Sequence, residues 1–216
     1  VPDHETTDAD ARPLAEGPRV AIRAVTPQDG PEFTRLVRAS AGLHHPWLSM
    51  PATEERFAQY AARLDGEQRA GFLVCLRDSG RPAGFVNINN IVRGAFQCGA
   101  LGYGAFAPSA GRGLMSEGLG LVLRHAFGPL GLHRLEANIQ PGNTASLALV
   151  KRHGFRLEGF SPEFLFIGGA WRDHERWAIT ADMLPDHREA DMLPDHREAD
   201  MLPDHREADM LPDHRE

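Results

Sequence analysis

The run Leu101-Gly102-Tyr103-Gly104-Ala105-Phe106 has the apolar, small-residue make-up of a buried strand. It passes through Pro108-Ser109-Ala110-Gly111-Arg112-Gly113 into a stretch whose apolar residues, from Leu114 to Phe127, recur at helical spacing. Strand, small-residue loop and helix start is an arrangement that binds phosphate. Bare backbone approaches the anion, successive N–H groups point at it, and the positive end of the helix dipole faces it. No Lys-Ser/Thr pair follows Gly113, so this is not a Walker A loop. The third glycine and distal acid of the dinucleotide fingerprint are also missing. A plain turn that needs positive φ at its glycines remains the competing explanation of the two glycines alone.

The rest of the chain supplies elements to surround that loop. Arg19 to Ala24 alternates apolar and basic residues and predicts a first strand. Thr26-Pro27-Gln28-Asp29 announces a helix, with Thr26 as cap and Pro27 at the first helical position. The Leu43 to Leu48 segment reads as a loop with an aromatic anchor at Trp47, and Thr53-Glu54-Glu55 starts a second helix. Phe72 to Leu76, Ala83 to Ile91 and Phe96 to Phe106 predict an antiparallel meander. His133 to Ile139 is a further strand, Thr144 to Arg152 a helix ended by Gly154, and Phe155 to Ile167 with Trp171 to Ile179 a last hairpin. The fold class is α+β, a mixed central sheet flanked by helices.

The domain expected from this pattern spans residues 19–180. Residues 1–18 are acidic and proline-bearing and are expected to be a disordered tail. From Ala181 the nonapeptide Ala-Asp-Met-Leu-Pro-Asp-His-Arg-Glu occurs four times without change, to residue 216. A packed core needs different residues in different places, so 181–216 is expected to be disordered as well. The repeats read either as a duplicated solvated tail or as a metal-binding or interaction tail carrying His187, His196, His205 and His214. The net charge of −7 belongs to these two ends, because each repeat has three acids against one arginine and the first eighteen residues five against one. The middle is mildly basic. That suits a polyanionic small ligand and lacks the basic-aromatic stripe of a nucleic-acid binder. Two cysteines, Cys75 and Cys98, without metal spacing, suggest a reducing compartment. No apolar run has membrane-spanning length and the first residues do not resemble a leader peptide, so a cytoplasmic location is expected, with no membrane, nucleic-acid or metal partner.

Several motifs, in order, resemble the GNAT N-acetyltransferases, and within them the RimJ/RimL-type protein N-alpha-acetyltransferases. They are Asn90 to Phe96, Leu101-Gly102-Tyr103, Gly111-Arg112-Gly113-Leu114-Met115-Ser116-Glu117, Leu132-His133-Arg134, Asn143-Thr144-Ala145-Ser146, Gly154-Phe155 and Trp171-Arg172-Asp173-His174. The resemblance covers roughly residues 19–180. It implies a GNAT fold in which two central parallel strands, here 99–106 and 133–139, splay apart around the pantetheine arm of acetyl-CoA. Leu101, Gly102 and Tyr103 would flank that arm with Asn143 and Ser146, and Ala110, Gly111, Arg112, Gly113 and Leu114 would hold the pyrophosphate. Pro108 departs from the Gln or Arg frequent in the family there and predicts modestly weaker cofactor binding.

Acyl transfer to an amine needs a neutral amine, a stabilised oxyanion and a proton for the leaving thiolate. The resemblance assigns the thiolate to Ser146 and an oxyanion donor to the backbone near Tyr103. Glu163 is the expected base, acting through water, with Glu136 and Asp173 in reserve; the relatives' acid position holds Leu165 here. Asn143 and Ser146 are also well placed to cap the helix that follows them. Trp47, Asn87, Asn89, Asn90 and Arg93 would border the acceptor. The expected activity is acetylation of a protein amino terminus, by a monomer or homodimer. Acetylation of a small amine, or acyl-CoA binding without turnover, are the alternatives.

Overall fold

A computed structural model of the chain describes residues 12–184. One mixed sheet carries eight strands: β1 (Ala15–Glu16), β2 (Val20–Ala24), β3 (Ala70–Leu76), β4 (Pro82–Val92), β5 (Cys98–Ala105), β6 (Arg134–Ile139), β7 (Arg156–Ile167) and β8 (Ala170–Thr180). Their spatial order is β1-β2-β3-β4-β5-β6-β8-β7. β5 and β6 are parallel, and the remaining neighbours are antiparallel.

Alternation along β3 divides the core. Phe72 and Val74 join a cluster with α4 (Leu114–Phe127), Val86, Ile88, Leu135 and Ile179. Leu73 and Cys75 point to the other face and join Phe85, Phe106 and residues of α1 (Gly30–Ala39) and α3 (Glu54–Ala61). Successive side chains of a strand face opposite ways, so the sheet is covered on both sides. A short α2 (Ala41–His44) leads into the Trp47 segment, and α5 (Thr144–Arg152) connects β6 to β7. Thr26 stands at the N-cap as its sequence predicts, but its side chain makes no cap bond; its N–H and hydroxyl both donate to Asp29 Oδ2, at 2.8 and 3.1 Å.

The ordered domain reaches beyond 19–180 at both ends. Ala15 and Glu16 pair with Ile22 and Ala21, Leu14 N–H donates to Ile22 O at 2.7 Å, and Arg77 holds Glu16 at 3.2 Å. The expected disorder of 12–18 is therefore corrected: backbone pairing to an edge strand orders a segment whose composition carries no such signal. At the other end Met183 and Leu184, in the first nonapeptide, pack against the core. The expected tails over 1–11 and from residue 185 onward, with the four repeat histidines, lie outside the described residues.

Candidate active site

The register of β5 with β6 runs from Cys98↔Arg134 to Leu101↔Ala137 and stops there. β5 continues to Ala105 while β6 turns away with β8, so the two strands diverge as the sequence motifs imply. A cavity of about 350 Å3 opens beside β5, lined by Tyr103, Gly104, the loop residues Ser109, Ala110, Gly111 and Gly113, the start of α4, Trp47, Asn143 and Ser146. A smaller one of about 100 Å3 continues deeper, and Trp47, Tyr103, Asn143 and Ser146 line both.

Gly111 and Gly113 each have φ of 72°, the left-handed region in which glycine carries no Cβ penalty. Gly113 is the N-cap of α4, and the first bond of that end of the helix is Glu117 N–H to Gly113 O at 3.2 Å. The N–H groups of Leu114, Met115 and Ser116 lie ahead of it, as at any helix start, beside the cavity that all three residues line. Ala110 lines the cavity too, but its N–H donates to Ala107 O at 3.3 Å and is not free for an anion. Arg112 differs from expectation. Its carbonyl accepts from Arg19 Nη1 at 3.0 Å and its exposed side chain does not line the cavity, whereas Arg152, at the end of α5, does.

Tyr103 and Ser146 share a hydrogen bond of 2.6 Å. Burial pushes the Tyr103 hydroxyl up to about 12, partly offset by Ser146, so the phenol keeps its proton at neutral pH. Ser146 stands on the first turn of α5, where Asn143 Oδ1 accepts its N–H at 3.2 Å. Capping and membership of the site thus coexist in these residues. Leu101 and Gly102 line the deeper cavity. Gly104 also has little room for a side chain. A Cβ there would meet the Phe85 ring at 2.9 Å, and His44 Nε2, which donates to Ala105 O at 2.8 Å, at 3.3 Å.

Other predicted residues are not brought together. Glu163 lies exposed on the sheet's edge strand, in the irregular stretch of β7 between Ser161 and Leu165, with φ of 47° and its N–H on Asp173 Oδ1. Glu136 is paired with Arg134 and Arg176, at 3.1 Å each. Among the described residues no carboxylate lines either cavity. Asn90 lies near the far end of β4 and Arg93 just beyond it, where Arg93 donates to Leu130 O, and neither lines the two cavities. Asn87 and Asn89 of β4 line neither cavity; Asn87 is buried and accepts from the Tyr60 hydroxyl at 2.7 Å.

Two residues of the deeper cavity were not anticipated as site groups. His174 is 1% exposed, and its Nδ1 donates to Arg172 O at 2.8 Å, which leaves Nε2 with the lone pair. Burial holds its pKa below the ordinary histidine value. Asn138 Oδ1 is buried with no partner among the described residues, next to Arg176 across the β6–β8 pair. The Trp-Arg-Asp-His motif contained His174, but nothing in the sequence separates a core imidazole from a wall of the site.

The match to known proteins agrees with this geometry. The model of the Acetyltransferase (GNAT) domain matches residues 19–156. The chain belongs to the GNAT acetyltransferase family. Within this family it is of the RimJ/RimL type. It is 32% identical over 133 residues to YjcK of Bacillus subtilis, named a probable N-acetyltransferase, covering 62% of this chain and 74% of that one. It is 40% identical over 97 residues to the ribosomal protein uS5-alanine N-acetyltransferase of Escherichia coli, covering 45% of this chain and 50% of the relative. The match therefore spans half the length of that enzyme. The structure of Mycobacterium smegmatis RimJ in complex with CoA-disulfide superposes with a TM-score of 0.75 at 30% identity, covering 84% of this GNAT chain and 96% of that one. No helix among the described residues is long and apolar enough to cross a membrane.

Proposed function

We propose that this GNAT chain transfers the acetyl group of acetyl-CoA directly to the amino-terminal α-amine of a protein. The observation that carries the reading is the Tyr103–Ser146 hydroxyl pair, at 2.6 Å, set on both cavities beside an anion-binding helix start. The loop N–H groups and Arg152 suit a pyrophosphate, and the β5 edge beyond Leu101 offers backbone groups to a peptide-like arm. Its names among relatives support a protein acceptor: uS5-alanine N-acetyltransferase and RimJ.

The amine enters the deeper cavity, where Asn138 Oδ1 receives one of its N–H bonds. It attacks the thioester carbonyl, and the oxyanion that forms is met by backbone N–H near Tyr103. As the carbon–nitrogen bond forms, His174 Nε2 takes the proton released. As the carbon–sulfur bond breaks, the Ser146 hydroxyl donates a proton to the thiolate and is resupplied by Tyr103, which takes a proton from solvent while the His174 imidazolium gives one back to solvent. With no acid on the cavity walls, His174 replaces Glu163 as the proposed base.

Thiol release from acetyl-CoA, measured on a panel of amino-terminal peptides and small amines, tests this. Turnover on a peptide that falls by about tenfold or more in Ser146→Ala, equal to about 1.4 kcal/mol of barrier, is the expected result. Turnover on small amines alone would move the acceptor to a metabolite or antibiotic. Tight CoA binding without turnover on any amine would sink the enzymatic reading.

A further inference from the structure

A third cavity, of about 400 Å3, lies against α3 on the acceptor side of the sheet. Three arginines line it: Arg56 on α3, Arg63 in the turn just past the end of that helix, and Arg69 just before β3. None of the three pairs with a carboxylate among the described residues, and no acid is on the walls. The nearby turn is held by Asp65, whose Oδ1 accepts the N–H groups of Glu67, Gln68 and Arg69 at 2.8–3.0 Å. Arg69 therefore leaves an ordered turn. The remaining polar walls are Tyr60, Asn87 and Asn89.

This cavity connects to the site in two ways. Asn89 Nδ2 lies 3.5 Å from where a Cβ on Gly102 would stand, and Gly102 lines the deeper cavity. The chain that contributes Trp47 and Leu48 to that cavity runs on as Ser49, Met50 and Pro51 into this one. Three guanidinium groups on the walls of one cavity, none paired with an acid among the described residues, make it electropositive, and a carboxylate entering it satisfies forked donors.

We propose that this arginine cavity binds the carboxylates of an acidic acceptor peptide, downstream of the amine that is acetylated. The inference rests on the acceptor being a protein amino terminus, as proposed above. From β5 across β4 to the rim of β3 is two strand spacings, about 10 Å, which an extended peptide spans in about three residues. The third and fourth residues of the acceptor then meet the arginines, and acidic side chains there set the preference.

The test compares peptides beginning Ala-Ala-Glu-Glu, Ala-Ala-Gln-Gln and Ala-Ala-Lys-Lys, otherwise identical. The acidic peptide is expected to exceed the glutamine peptide by about tenfold in kcat/KM, chiefly through KM, with the lysine peptide lowest. The ratio should shrink at about 0.5 M salt. In Arg56→Gln/Arg63→Gln/Arg69→Gln the acidic-to-glutamine ratio should fall to about one, and in Arg63→Gln alone, a milder surface change, by about threefold. Equal kcat/KM on the acidic and glutamine peptides, or a ratio that survives in the triple variant, overturns the inference. Binding of the same peptides with the amine already acetylated, titrated in the presence of CoA, separates it from the catalytic proposal. Arginine-dependent binding of the acidic peptide, with no turnover on any peptide, leaves the acidic site standing and removes the acceptor reading. Loss of both removes both.

Discussion

Tyr103 on β5 and Ser146 on α5 meet at 2.6 Å, although 43 positions of sequence separate them. The contact exists because β5 runs past the end of its pairing with β6 and α5 starts beside the opening. If the pair relays a proton to the leaving thiolate, Tyr103→Phe and Ser146→Ala should each lower kcat by about tenfold to a hundredfold. The double variant should fall little further, because one relay is broken in all three. CoA affinity, read by titration, should change by less than about threefold. Additive losses would show two independent roles.

Gly111 has a φ of 72° and nothing within 4 Å of an added Cβ, so a substitution there acts through backbone strain alone. Gly111→Ala should weaken CoA binding about five- to tenfold, for a left-handed penalty of about 1–2 kcal/mol. Gly111→Asn should recover much of the loss, since asparagine tolerates that region better. Equal effects of Ala and Asn would place the cause elsewhere than φ.

His174 is held below the ordinary histidine pKa by burial, with its Nδ1–H donation to Arg172 O and Asp173 opposing the shift. A base must be neutral, so kcat at saturating acceptor should stay level above pH 6.5 and decline only below it. That limb should vanish in His174→Gln along with most of the turnover. The same depression has a sign for stability. The unfolded chain takes up the proton first, so stability is fully present above the ordinary histidine pKa and is lost as pH falls through the folded one. His125 and His153 are depressed by burial as well and act in the same direction. Melting temperature against pH checks it.

Glu117 ties the amino-terminal strand to α4. Its Oε1 accepts from Arg19 N–H at 2.7 Å and Val20 N–H at 3.0 Å, and its Oε2 from Arg19 Nε at 2.9 Å. Burial works to raise its pKa, but these donors outweigh it and the pKa is lowered. The stabilisation is therefore present above the ordinary carboxylate range and disappears as pH falls through the folded value. Glu117→Ala should cost about 1–3 kcal/mol at pH 7 by denaturant titration, and much less at pH 3. An equal cost at both would assign the loss to packing.

The loop, its helix and the strand before it were legible in the sequence because their chemistry is local. Gly111 and Gly113 adopt the φ that glycine makes possible, and the α5 boundaries Thr144–Arg152 fall where Asn143 and Gly154 mark them. The acceptor side was less legible. Asn90 and Arg93 share a segment with Asn87 and Asn89, yet a register shift after Asn89 and the direction of β4 carry them away from the splay. Glu163 was expected as the base from the strand that carries it, while the relatives' acid position holds Leu165, and an irregular stretch in β7 puts Glu163 on the outer edge.

Sequence alone determined the family, through its ordered motifs, and the mixed sheet and the glycine loop that starts α4, which follow from short-range patterns of glycine, capping residues and apolar spacing. Tertiary structure decided which polar groups line the deeper cavity. Asn138 and His174 lie on neighbouring strands β6 and β8, with α5 and β7 between them in the chain, and both line the deeper cavity. Their placement depends on where β5 and β6 stop pairing. Strand divergence is a balance of long-range contacts across the whole sheet, and no local stretch of residues encodes it.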